Sequence, residues 1–408
     1  MKLTIIDNKN KHNLIRIEYI FLSKKDSLYH ATVRALLSYV LITASKKYND
    51  NTKLSRALDR LYGAQLVTSG LELSSNIGLS FYLEFVNPSC INDNNYQFKD
   101  CIDVLNEVIY NPLLIDGLFD DKIFHQQQQE LYDNLLSDYE DQSYTAFLKS
   151  RDILYKHMGG YIDSDGFLDD VMKINNIDLA NEYKRMISSD DLIINVFGNI
   201  SDEDKRYLNI YNDNIKLNPS WNYIKPDNII YQIDSYDGYE SYLRITYYTG
   251  IYEVEKKKSL ALLILSRMLA GDATSIFFDE IREKRGLCYS IKSEYSQETS
   301  FFTISCEHNK DNTNKIRELI DKIIEDIKND NFKNEVLDSA KELSINKMIN
   351  KYDSLTSNVY SINKKIIYGI DYSIDDVIEM YKSITREDIC NAAKRLSKVL
   401  DYLLRGDL

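Results

Sequence analysis

The sequence is poor in the residues that staple, kink or anchor a chain. Four of its 408 residues are proline and one is tryptophan. Its five cysteines (Cys90, Cys101, Cys288, Cys306, Cys390) are odd in number, scattered, and never spaced as C-x-x-C. That excludes a disulfide framework and a zinc knuckle, and leaves buried free thiols in a reducing compartment as the expectation. No uninterrupted apolar run approaches membrane-spanning length. The first residues, Met1 to Asp7, carry neither the apolar core nor the cleavage site of a secretory signal, so the expected location is the cytoplasm. Positive charge is also short: 50 Lys and Arg against 63 Asp and Glu give a formal net charge of −13. Nucleic acid, which needs a basic surface, is an unsuitable partner.

What remains is an ordinary globular composition, 44% hydrophobic and 28% charged, long enough for two or three domains. Tyrosine is abundant, 32 residues against 14 Phe, which weakens any argument from a single tyrosine. Apolar spacing alternates between strand and helix periods, and the order recurs. In the first half, a strand over 13–24 and a helix from Ser27 to Ser45 lead to a short helix over 53–62. Two strand-like runs follow, 64–75 and 77–87, the second a core or edge strand. Helices at 97–110, 120–139 and 143–157 then precede a strand over 192–199. The second half repeats this course. It has strands at 228–235 and 241–249, helices at 256–270 and 274–284, and strands at 287–296 and 299–307. Helices then lead to a last strand over 401–408. Gly198 and Gly406 close the two halves about half a chain apart, the mark of a duplicated domain. Pro219 and Pro226 bracket a polar stretch that reads as a linker. The expected architecture is α+β, with two similar tandem domains at 1–215 and 228–408 joined by a linker at 216–227. Each domain is a mostly antiparallel sheet with helices packed on one face.

The most informative segment is LAGDATSIFFDEIREKRGLCYS, residues 269–290. A Gly-containing turn opens a helix, the helix ends in Arg282-Glu283-Lys284-Arg285, and Gly286 leads to a strand bearing Tyr289. Together with Leu58-Asp59-Arg60-Leu61-Tyr62-Gly63-Ala64 before a strand, and with the tandem halves, this resembles the pitrilysin/insulinase zinc peptidases, mitochondrial processing peptidase among them. The resemblance implies two processing-peptidase-like domains closing around a cavity. Active relatives carry H-x-x-E-H on a first-domain helix, two zinc ligands and a general base, plus a more distant glutamate. Of the five histidines here (His12, His30, His125, His157, His308) no two stand four apart. Matching the helices places the triplet at Ala35, Ser38 and Tyr39, and the distal position near Asn134, with Glu130 close by. Alanine has no donor atom, serine is a poor zinc ligand, and a phenol stays protonated near neutrality. Gln126 to Gln129 offer amides where active enzymes offer carboxylates. His30 and His125 read as surface or capping residues. This chain is therefore expected to bind no metal and no other cofactor, zinc being expected in a partner subunit.

The resemblance also implies that Arg282 and Tyr289 reach the substrate backbone beside a metal. A guanidinium and a phenol can donate to the oxygen that gains charge during peptide hydrolysis. Without that role, Arg282 is a solvated helix-end charge and Tyr289 one packed aromatic among many. Asp120-Asp121 and Asp138, Glu140 and Asp141 read as solvated helix faces, or more sharply as the lining of a chamber for basic peptides. Lys256 to Lys258 read as exposed. Three functions follow. The chain is a non-metal subunit of a heterodimeric zinc processing peptidase, with a zinc-binding partner of the same family and a peptide substrate whose maturation it serves; or it is an inactive scaffold; or it is a peptide-binding clamp. A neighbouring reading frame with H-x-x-E-H favours the first, and its absence the clamp.

Overall fold

The computed structural model describes residues 2–6, 13–24, 26–73, 76–158, 164–208, 225–352, 363, 365 and 368–408. Two compact units emerge, and neither is one continuous stretch. The first contains Met1–Ser137 and Ile162–Ser220, and the second Asp138–Tyr161 and Trp221–Leu408. Most of the linker expected at 216–227 lies outside the described residues, as does His12.

In chain order the elements are β1 (Lys2–Ile6), β2 (Leu14–Lys24), α1 (Leu28–Leu41), α2 (Asn51–Arg60), β3 (Gln65–Leu73), β4 (Asn76–Val86) and α3 (Phe98–Tyr110). Next come the short pair β5 (Leu114–Ile115) and β6 (Leu118–Phe119), then α4 (Asp121–Ser137), α5 (Gln142–Met158), α6 (Leu168–Val171), α7 (Asn176–Ser189) and β7 (Asp191–Phe197). Further on are β8 (Ile230–Tyr236), β9 (Glu240–Tyr248), α8 (Lys256–Ala270), β10 (Ser290–Tyr295), β11 (Phe301–Asn309), α9 (Thr313–Lys328) and α10 (Asn334–Tyr352). The chain ends with α11 (Ile374–Ser383), α12 (Arg386–Lys394) and β12 (Ser397–Gly406).

The two sheets share one topology. The first runs β1-β7-β2-β4-β3 and the second β8-β12-β9-β11-β10. In each, the outermost strand at one end lies parallel to the last strand of the unit, and every other pairing is antiparallel. The alternation read from the sequence explains why. In β2, Ile15, Ile17, Tyr19 and Phe21 point to the core formed with Leu36, Leu37 and Leu41 of α1 and Leu105 and Val108 of α3. The opposite face of that strand mixes buried apolar Ile20 and Leu22 with polar groups that are satisfied. Arg16 sits beside Glu84 at 2.8 Å, and Glu18 accepts hydrogen bonds from Ser80 and Asn195. Buried polar groups are tolerated when paired in this way. Strand β4 pairs on both sides, so the 77–87 run is interior, and β1 and β3 are the edges.

The second sheet carries helices on both faces. Its core faces α8, α9 and α12, through Leu243, Ile245, Phe302 and Ile304. On the other face, α5 lays Ala146, Ile153, Leu154 and Met158 against Phe301, Leu400, Tyr402 and Leu404. Strand β12 is therefore buried on both faces, as its run of apolar residues requires. Asp401, on the face that α9 covers, is held by Arg317 at 2.6 Å. The amphipathic pattern of α5 was legible, but the stretch 1–215 assigned it to the first domain, and it packs with the second unit.

Candidate functional site

Helix α1 begins at Ser27, whose hydroxyl accepts the His30 backbone N–H at 3.1 Å, a cap contributing about 1 kcal/mol. Two and three turns along, Ala35 and Ser38 are buried and Tyr39 is half-buried. The Ser38 hydroxyl donates to Ala35 O at 2.7 Å. The Tyr39 phenol accepts from Asn134 Nδ2 on α4 at 3.2 Å. Two of the four positions that the resemblance matched to a metal site are thus brought together, by a neutral hydrogen bond. Beside them, Phe167 N donates to Thr32 Oγ1, and a Cβ on Gly166 would come within 3.4 Å of the Ala35 Cβ. Glu130 is exposed and accepts from Gln127, while the buried Gln128 donates to Val171 O and Ile174 O. The glutamines thus tie α4 to α6 and the turn that follows it. Among the described residues, no group of three or more His, Cys, Asp and Glu side chains could hold a metal ion.

Next to these positions lies a cluster that sequence reasoning did not identify. The His30 ring is neither a surface nor a capping group: it lies 3.2 Å from Glu182 and 2.9 Å from Arg185 on α7. Arg34, almost wholly buried, bonds Glu182 at 2.8 Å and Asp190 at 2.7 Å. Burial alone would raise the Glu182 carboxyl, but hydrogen bonds from His30 and Arg185 and the charge of Arg34 outweigh it and hold it down to about 2. Asp190 goes the other way, because its burial exceeds what Arg34 and Arg185 return. Only the i, i+4 spacing of His30 and Arg34 on one helix face hinted at this cluster. His125 is exposed and packs edge-on against Phe124.

In the second unit the REKR run is not a regular helix end. Phe278–Glu283 form a π-turn, closed by Lys284 N bonding Asp279 O. Such turns shift the side chains that follow and recur at functional sites. Lys284 is clasped by Asp279 and Glu280, each at 2.7 Å, and Arg285 by Glu280 at 2.6 Å. Arg282 is different: its guanidinium lies over the Phe278 ring at 4.7 Å and stands 3.9 Å from Glu283, beyond hydrogen-bond reach. Gly286, at φ +60°, then reverses the chain with its N–H on Arg282 O. This left-handed backbone strongly favours glycine. Tyr289 follows at the mouth of β10, 57% exposed, its N–H on Glu307 O at 2.8 Å. Between the two, the Cys288 thiol is held below its ordinary value by a hydrogen bond from Cys306, against its burial, and the Arg282 charge adds to that lowering. Arg282 and Tyr289 are thus both at the surface of one helix-to-strand corner.

Several smaller expectations change. Asp120 and Asp141 are helix caps: Asp120 accepts from Ile123 N, and Asp141 from Ser143 N and Tyr144 N. Lys256 is half-buried and paired with Glu253 at 3.0 Å, whereas Lys257 and Lys258 are exposed. Cys90 is exposed, and the other four cysteines are buried. No helix of the described residues is long and apolar enough to cross a membrane.

Residues 173–344 match the family described as Peptidase M16 inactive domain. Over 387 residues the chain is 22% identical to the probable inactive metalloprotease YmfF of Bacillus subtilis, covering 92% of this chain and 89% of that protein. A conserved protein from Enterococcus faecalis superposes with a TM-score of 0.92 at 22% identity, over 99% of this chain and 96% of that one. A peptidase M16 inactive domain from Pseudomonas fluorescens superposes at 0.76 and 14% identity, over 100% and 95% of the two chains.

Proposed function

Since the chain belongs to the pitrilysin/insulinase family of peptidase-like proteins, we propose that it is the non-metal subunit of a heterodimeric zinc processing peptidase. The observation that carries this reading is the state of Arg282. In a run where both other cations are held by carboxylates, it alone has no hydrogen-bonded acid, and it lies at the same exposed corner as Tyr289. A guanidinium and a phenol placed there can hold a substrate backbone and donate to its carbonyl oxygen as that oxygen gains charge. Zinc would come from a partner subunit bearing H-x-x-E-H and would activate the attacking water there. The residues at Ala35, Ser38, Tyr39 and Asn134 do not fit zinc: one has no donor atom, and the others are neutral groups whose polar atoms bond to one another or to backbone. The site in this chain is therefore read as metal-free, and maturation of a peptide product in the cytoplasm as its setting.

The test is reconstitution with the zinc-bearing subunit. Arg282→Ala and Tyr289→Phe should lower kcat more than they raise KM, with assembly of the pair unchanged. Elemental analysis of the chain alone should find less than a tenth of a zinc per molecule; one tightly held ion would overturn the metal-free reading. The second reading is a scaffold or peptide-binding clamp, favoured by the name of the Bacillus subtilis relative, a probable inactive metalloprotease. Unchanged kcat in both variants would establish it instead.

A further inference from the structure

The face of the second sheet turned toward α5 holds a row of charge that the proposed activity does not use. Register places Lys292 of β10 opposite Ser305 of β11, and Ser305 opposite Arg244 of β9. At a strand spacing of about 4.8 Å, the two cations stand roughly 9.5 Å apart with a hydroxyl between them. Neither makes an ion pair among the described residues. Arg244 is half-buried; its Nε donates to Ser150 Oγ at 3.0 Å, and the guanidinium packs on Phe147 at 5.2 Å. Its Nη groups make no hydrogen bond among the described residues. Burial pulls the Arg244 pKa down to about 10, partly offset by Glu294, so it remains charged at neutral pH. Two cavities of about 270 and 160 Å³ meet here, sharing Phe147, Arg244 and Glu294 in their walls.

The rows on either side are acidic. Glu307 lies opposite Ser290, one row along, and Glu294 lies opposite Thr303, one row the other way. Asp141 also lines the larger cavity. A polyphosphate or nucleic acid laid across these rows would meet three carboxylates. A single carboxylate with a basic side chain on the neighbouring residue meets complementary charge at each step, because adjacent rows are about 6.8 Å apart along the strands, within the reach of a lysine side chain.

We propose that the Lys292–Ser305–Arg244 row is a binding site for the free C-terminal carboxylate of a peptide whose penultimate residue is basic. The site lies wholly in the second unit, so it stands whether or not Arg282 and Tyr289 act beside a partner's zinc.

The test is calorimetric titration of the full chain, without any partner, using the pentapeptide Ala-Ala-Ala-Lys-Ala as free acid and as C-terminal amide. The acid should bind at least tenfold more tightly than the amide. Arg244→Gln should abolish that difference, Lys292→Gln should reduce it several-fold, and Glu307→Gln should erase preference for Lys over Glu at the penultimate position. Equal binding of acid and amide to the wild-type chain overturns the proposal, and this comparison needs no variant to fold. Inorganic phosphate displacing the peptide at lower concentration than acetate would equally overturn it, since the acidic rows are argued to exclude such an anion. Loss of these effects leaves the kcat test of Arg282 untouched, and the reverse holds too.

Discussion

The same corner occurs once in each unit, and the two copies are finished differently. In the first, α2 ends as an ordinary α-helix and turns through Tyr62 and Gly63, at φ 57° and 74°, into the edge strand β3. Tyr62 is then tied down: its hydroxyl donates to Asp93 at 3.0 Å and its ring lies 4.9 Å from Tyr96. In the second, a π-turn leads through Gly286 into the edge strand β10, and Arg282 and Tyr289 are left without a hydrogen-bonded side-chain partner among the described residues. Identical strand order with opposite treatment of the exposed polar groups separates what the fold requires from what it does not. Closing the sheet needs a glycine at the turn. It does not need a guanidinium and a phenol both left without a hydrogen-bonded side-chain partner.

The largest expected effect breaks that contrast from the second copy. Arg282→Ala in the reconstituted pair should lower kcat by roughly 10²–10³, the scale of a single oxyanion donor, and Tyr289→Phe by one to two decades. Tyr62→Phe, a change at the turn of the first copy, should leave kcat unaltered. Steady-state kinetics of the three variants decides whether the corners differ in function or only in decoration.

A second test concerns stability. Glu182 has a folded-state pKa lowered to about 2 from the ordinary 4.5. A depressed carboxylate contributes stability that is fully present above about pH 4.5 and is lost as pH falls through 2. Unfolding in denaturant at pH 7 and pH 3 should therefore show Glu182→Gln flattening the acid limb, with a cost on the order of 3 kcal/mol at neutral pH. His308 acts in a different window. It is buried between Cys306 O and Thr313 Oγ1, and burial lowers its pKa, so protonation of the unfolded chain weakens the fold as pH drops below about 6.5. The smallest effect is expected at the positions matched to the metal site. Tyr39→Phe removes one half-exposed hydrogen bond to Asn134 and should cost about 1 kcal/mol or less by thermal unfolding.

Much of the fold was legible because alternation and helical spacing are local signals. Ile15 to Phe21 announce a strand with one core face, and the recurrence of that pattern before Gly198 and Gly406 announces two copies. The position of α5 was not legible. Ala146, Ile153 and Leu154 declare an apolar face, but nothing local says that the sheet it covers includes Leu400 and Tyr402. The π-turn was missed for a related reason: one extra residue in a helical turn leaves the apolar spacing of Ile276 and Ile281 almost intact. At the site, Ala35, Ser38 and Tyr39 were placed by the family resemblance, and their residue types argue against zinc ligation. The pairing of Lys292 with Arg244 across Ser305 is a matter of register between distant strands, which a single sequence does not print. The ionic cluster around Arg34 was hidden likewise, its acids lying on α7, far along the chain.

The placement of α5 has a consequence for biosynthesis. Its apolar residues leave the ribosome about 240 residues before Leu400, Tyr402 and Leu404, the strand against which they finally pack. At 5–20 residues per second, that is a wait of roughly 12–50 s. Throughout it, an amphipathic helix has its sticky side uncovered while the first unit, which finds its own strands much earlier, can already assemble. A nascent chain of this kind is an expected client for a chaperone until its C-terminus is complete. Removal of residues 399–408, most of β12, should therefore yield an aggregate rather than a shortened folded protein.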